Sequence, residues 1–253
     1  MLPDDACTTV IACDQAHLGE FAVAMPTWRK FHPELWRRPM VAFCDDVEPP
    51  RWWERQFRKF APHDNCRFVA VPPCPGASQR GRMLATFIFG VAEHVSTRWY
   101  LKMDSDLACM GPCPDWEPDD WFDDAKGHVF IAHPWGYTKS IKMFTDLVAW
   151  AATVPALAGR PEPPGHPKES KDHYKHRRII SFLLYGRTEF VREVAALAPA
   201  LPCPSQDTFL WYMAAKLGRP YCTPNMGKRG WAHNARRLHV RCRAAMEQEL
   251  PVS

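Results

Sequence analysis

The run Trp99-Tyr100-Leu101-Lys102-Met103-Asp104-Ser105-Asp106-Leu107 carries an apolar stretch into two acids one residue apart. In an extended strand alternate side chains share a face, so Asp104 and Asp106 would project together. Carboxylates that close repel one another, and a shared cation is the simplest reason to keep both. The alternative is a turn, which Asp-Ser-Asp opens through Asx-type hydrogen bonds. Further acids recur at comparable places: Asp14 follows Thr8-Thr9-Val10-Ile11-Ala12-Cys13, and Asp45-Asp46 follows Pro39-Met40-Val41-Ala42-Phe43-Cys44. Arg80 and Arg82 stand in the first turn of a helical pattern. Cations there oppose the helix dipole, which favours an anion such as a diphosphate at that end; two solvated arginines are the alternative. Late in the chain, Asp207 enters the first turn of a helix, where an acid offsets the dipole, and His233 lies in a glycine-bearing loop.

The elements that would position these residues alternate. Strands are predicted over Thr8 to Cys13, Pro39 to Cys44 and Arg67 to Val71, separated by helical patterns from His17 to about Phe31 and from Pro49-Pro50 onward. Pro26 would kink or break the first helix. A third helix is expected from Arg80 to Val95, with Leu84, Phe87, Ile88, Val91 and Val95 at three- and four-residue steps. Such alternation argues for crossover units and a parallel sheet, and ligands of such sheets bind beyond the carboxyl ends of the strands. Asp14, Asp45, Asp46, Asp104 and Asp106 all fall at that end.

Beyond the acid pair, the acids from Asp115 to Asp124 read as a solvated face. Val129 to Ala132 is a further strand, and His133-Pro134-Trp135-Gly136-Tyr137 reads as a loop lining a pocket. An amphipathic helix follows around Phe144 to Ala151. Residues 155–178 are rich in proline and charge without apolar period, which suits a flexible insertion, as a mobile flap or facing the acceptor. Ile179 to Gly186 is a strand, Thr188 to Leu197 a short helix, and a helix opens at Gln206-Asp207 after Ser205 as N-cap. Tyr221-Cys222-Thr223 reads as the last strand.

Bulk properties narrow the class. The 253 residues are 46% hydrophobic and 24% charged, which is ordinary globular composition. A formal net charge of +4 is too small and too scattered to indicate a nucleic-acid surface. No apolar run is long enough for a transmembrane helix. The start Met1-Leu2-Pro3-Asp4-Asp5 has no signal-peptide pattern, so a cytoplasmic location with reduced thiols is expected. Cys109 and Cys113 lack the second half-site that structural zinc requires.

This order of parts resembles the GT-A glycosyltransferases, which use nucleotide sugars and an Asp-x-Asp motif. The resemblance runs from Thr8 to about Asn234 and rests on the first strand with Asp14, the helix near Arg80, the run from Trp99 to Asp106, Gln206-Asp207, and Trp231-Ala232-His233. It implies a Rossmann-like α/β fold: a mostly parallel central sheet with helices on both faces and a smaller mixed C-terminal part. It implies one domain over residues 1–253, with a nucleotide-binding half (1–107) and an acceptor and catalytic half (108–253). By position, Asp106 would bind a divalent cation directly, and Asp104, with Ser105 between them, would contact the ribose or reach the metal through water. His233 would add a metal contact, Asp45 or Asp46 would recognise the base or ribose, and Arg80 or Arg82 would lie near the diphosphate. Asp207 would be the late catalytic acid that takes the acceptor's proton. The expected cofactors are a divalent cation, Mn²⁺ before Mg²⁺, and a UDP- or GDP-sugar; the acceptor, whether saccharide, lipid, small molecule or protein, stays open. The alternatives are a nucleotidyltransferase on a similar sheet and a non-catalytic nucleotide-sugar-binding protein.

Overall fold

The computed structural model describes residues 2–13, 15–45, 49–60, 65–71, 86–113, 116–135, 141–163, 178–198, 206–225 and 231–232. Strand β1 (Cys7–Cys13) leads through a 3-10 turn into helix α1 (Leu18–Phe31), followed by β2 (Met40–Asp45), α2 (Pro50–Phe60) and β3 (Cys66–Val71). A π-helical turn (Thr86–Gly90) and a short helix α3 (Val91–His94) precede β4 (Trp99–Met103) and β5 (Ala108–Cys109). Then come β6 (Phe130–Trp135), α4 (Ile141–Thr153), β7 (Arg178–Arg187), α5 (Thr188–Leu197), α6 (Gln206–Lys216) and β8 (Trp231–Ala232).

Six strands form one sheet in the order β3-β2-β1-β4-β7-β6, parallel except for β7, which runs against both of its neighbours. Strand alternation distributes the core over two faces. Cys7, Ile11, Trp99, Leu101 and Met103 pack with α1 and α2 on one face. Val10, Val41, Phe43 and Tyr100 pack with the helical segments from Phe87 to Val95 and with α4, α5 and α6 on the other. Such double coverage explains why all five residues of β4 are buried. β7 can lie against β4 closely because Gly186 sits on the Tyr100 ring, where a Cβ would overlap it.

Helices α1 and α2 cover one face while the chain steps outward from β1 to β3, and the segment returning to β4 covers the other. The order therefore reverses between β1 and β4, which is the crevice where ligands of such sheets bind. Ile11 pairs with Met103, the last residue of β4, across that seam.

Several elements differ from expectation. Helix α1 continues through Pro26, because the burial of Phe21, Ala24, Met25 and Trp28 outweighs the roughly 3 kcal/mol that an interior proline costs. The segment His133-Pro134-Trp135 belongs to β6 and pairs with Ile180, Ile179 and Arg178 after a register shift at Ala132/His133. Proline is tolerated because β6 is the edge strand. Cys222 makes one isolated parallel bridge to Ile131 in place of a full strand. Of the helix expected from Arg80 to Val95, only residues 86–95 are described, as π turn and short α-helix. Within the expected insertion, residues 155–163 are described, 155–159 as turns, and Glu162 is tied to α6 by Lys216 and by Tyr212, whose hydroxyl lies 3.0 Å away. Among the described residues no helix is long and apolar enough to cross a membrane.

Candidate active site

Asp104 and Asp106 stand at the carboxyl end of β4, beside the point where the strand order reverses. They do not lie on one strand face. The strand stops at Met103, and residues 104–107 form a turn closed by the Leu107 N–H donating to the Asp104 carbonyl at 3.1 Å. The chain thus turns, by a backbone hydrogen bond, as soon as the apolar run ends. Both acids and Ser105 are half-buried, so they are open to a ligand while being held by the fold.

The turn is pinned on both sides. Upstream, the Asp104 N–H donates to the Phe182 carbonyl of β7 at 2.9 Å, extending the β4–β7 ladder by one residue. Downstream, Trp28 Nε1 donates to the Leu107 carbonyl, and the Cys109 N–H donates to Thr27 Oγ1 at 2.9 Å. Both α1 residues are fully buried. Cys109 and Ala108 then pair antiparallel with Trp231 and Ala232 of β8, which brings the chain's last third against the segment leaving the turn.

Lys102 completes the charge pattern. Its side chain is buried at 3% exposure, its ammonium pairs with Asp104 Oδ1, and it lies 4.8 Å from the centroid of the Phe87 ring. Sequence reasoning passed over this residue, although a lysine inside an otherwise apolar five-residue strand was the available signal. Nearby, the His133 ring packs against Phe182, and burial holds its pKa below the ordinary histidine value.

Of the other expected site residues, Asp45 closes β2, its backbone in register with Val71. Asp207 is the second residue of α6, a helix that packs against β7. Asp14, Asp46, Arg80, Arg82 and His233 lie outside the described residues. The turn carboxylates are hard oxygen donors suited to Mg²⁺ or Mn²⁺. Among the described residues no group of three or more His, Cys, Asp or Glu could hold a metal.

A six-stranded, mostly parallel sheet of this order with helices on both faces is the GT-A architecture. The chain has the GT-A fold of glycosyltransferases. It superposes on the mannosyltransferase Ktr4p from S. cerevisiae in complex with GDP with a TM-score of 0.57 at 9% identity, covering 90% of this chain and 71% of that one. Core-mannan synthase A from Aspergillus fumigatus, in its Mn/GDP form, gives 0.52 at 11% identity over 95% of this chain and 84% of that one. The mannosyltransferase PcManGT from Pyrobaculum calidifontis, in complex with GDP-Man and Mn²⁺, gives 0.53 at 12% identity over 87% of this chain and 55% of that one. No protein-family model matches the sequence, and no curated protein matches it.

Proposed function

We propose that this protein is a metal-dependent glycosyltransferase that moves a sugar from a nucleoside-diphosphate sugar to an acceptor hydroxyl. The observation that carries this reading is the acid turn at the carboxyl end of β4, placed at the strand-order reversal of a GT-A fold. Asp106 would hold the divalent cation directly, and Asp104 would reach it or the ribose. His233 is a candidate third ligand: it follows Ala232, and Ala232 pairs with Ala108, two residues past Asp106. When bound, the ion supplies Lewis-acid stabilisation of the charge that develops on the departing diphosphate. Asp14 and Asp45 or Asp46, following β1 and closing β2, would face the nucleoside, with Arg80 or Arg82 near the phosphates. Asp207 would take the acceptor's proton. Residues 1–107 would form the nucleotide half and 108–253 the acceptor half. Residues 155–178 would face the acceptor, since the chain re-enters the sheet at Arg178, opposite Trp135 at the carboxyl end of β6.

GDP-sugars are the first donors to test, because three of the solved structures that share the fold carry GDP or GDP-Man. Thermal shifts should be recorded with GDP- and UDP-sugars, each with and without Mn²⁺, alongside slow donor hydrolysis. Metal-dependent stabilisation by one nucleotide, lost in Asp106→Ala together with hydrolysis, is the expected outcome. Nucleotide binding indifferent to metal and to Asp106→Ala, with no hydrolysis, would overturn the assignment. Release of nucleoside monophosphate or pyrophosphate would point instead to nucleotidyl transfer.

A further inference from the structure

Strand alternation places Lys102 on the same sheet face as Tyr100, against the apolar layer that contains Phe87. Every other residue of β4 is aromatic or aliphatic. Burying an ammonium at such a position is costly, and an aliphatic side chain would pack there without that cost. The stem runs past the Phe87 ring to deliver the ammonium to Asp104 Oδ1, while the Asp104 side chain keeps 25% of its surface exposed. The cation is thus held by the core and its partner by the turn, so the pair belongs to the site as much as to the interior.

Its effect on the turn is electrostatic. Across Lys102, Asp104 and Asp106 the formal charge is −1, whereas the two acids alone would present −2. From these three residues a divalent cation approaching the free protein meets one net negative charge, and one carboxylate oxygen is already engaged by an ammonium. A nucleoside diphosphate adds its own negative charge and oxygen donors beside the same turn, and can draw on both cations.

We propose that Lys102 makes metal binding at the Asp104-Ser105-Asp106 turn contingent on the nucleotide: its ammonium serves Asp104 as a built-in counter-ion, so that a divalent cation binds tightly only together with the diphosphate of the donor. This rests on the glycosyltransferase reading given above. The device keeps the turn from holding a metal ion without donor, and it makes Lys102 a positioning residue for Asp104. Thermodynamic reciprocity requires that the factor by which nucleotide tightens metal binding equals the factor by which metal tightens nucleotide binding.

The test is Mn²⁺ binding to the full chain, followed by electron paramagnetic resonance of free Mn²⁺ and by calorimetry, with and without GDP or UDP. For the unaltered protein, nucleotide should tighten Mn²⁺ binding about tenfold or more. In Lys102→Met, whose side chain keeps the packing on Phe87, Mn²⁺ affinity without nucleotide should rise about tenfold, and the coupling should shrink accordingly. Lys102→Arg, which restores the charge, should behave as the unaltered protein. A packing role alone would not produce tighter metal binding on removal of a charge. If Lys102→Met does not fold, Lys102→Gln carries the same comparison. Nucleotide-dependent Mn²⁺ binding that is present but indifferent to Lys102→Met overturns the role of Lys102 alone, as does equal Mn²⁺ affinity with and without nucleotide. Absence of any Mn²⁺-dependent nucleotide binding in the unaltered protein overturns the reading of the site itself.

Discussion

Glu117 has no exposed side-chain surface, yet it carries an acid into the core. Arg38, equally buried, donates to its two oxygens from Nη1 and Nη2 at 2.6 Å each, and the Tyr185 hydroxyl donates to Oε1. Burial first, and then the adjacent Glu117 charge, push the Tyr185 phenol well above its usual pKa, which keeps it a proton donor. The three residues join the loop after the acid turn to the segment before β2 and to β7. Removing one member strands the others: Arg38→Met should lower the unfolding free energy by about 3–5 kcal/mol, read from urea denaturation. Adding Glu117→Leu should recover most of that loss, because an apolar replacement of both partners leaves no buried charge. The expectation that the acids from Asp115 to Asp124 form a solvated face holds for Asp119, Asp120, Asp123 and Asp124, which are exposed. It does not hold for Glu117, whose partner Arg38 is 79 residues away. A run of acids reads as one class when each is judged by its neighbours in sequence, and the guanidinium that singles one of them out is placed by tertiary structure alone.

Helix α1 does more than cover the sheet. Its apolar stripe of Phe21, Ala24, Met25 and Trp28 was legible from spacing, whereas its polar contacts to the chain leaving the acid turn were not. Thr27 and Trp28 reach residues about eighty positions along the chain, and periodicity carries no information about such partners. These contacts give the helix a second task, holding the downstream end of the turn while Phe182 of β7 holds the upstream end. Thr27→Val keeps the shape and removes the acceptor, leaving the buried Cys109 N–H unsatisfied. That should cost about 1–3 kcal/mol and show as faster hydrogen exchange at the Cys109 amide. Weaker Mn²⁺-dependent nucleotide binding should accompany it, because the turn loses an anchor. Strands whose side chains alternate between two buried layers were likewise readable. The extension of β6 through His133-Pro134-Trp135 was not, since proline there signals a loop unless an edge position is known beforehand.

At the scale of the molecule, the strands before and including β4 run parallel as their crossover spacing requires, and β7 reverses. That reversal could not be read from Ile179 to Gly186, because a strand buried on both faces has the same apolar pattern in either direction. Its consequence is functional. An inverted strand beside β4 brings the segment entering at Arg178 to the carboxyl edge of the sheet, and it gives α6, with Asp207 second in the helix, a wall to pack against. In the proposed reading, the first half of the chain would supply the turn that holds metal and diphosphate, and the second half the acid that acts on the acceptor. If that division holds, the two functions separate by mutation. Asp207→Asn should lower kcat about 10²- to 10⁴-fold, the range that a positioned general base contributes, while the dissociation constants of nucleotide and Mn²⁺ stay within about twofold of the unaltered protein. The amide keeps the size of the carboxylate and cannot accept the proton, so loss of turnover with intact donor binding isolates the proton-transfer role. Parallel loss of both would instead make Asp207 a binding or helix-capping residue, and the base would have to be sought among the other acids at the carboxyl edge of the sheet.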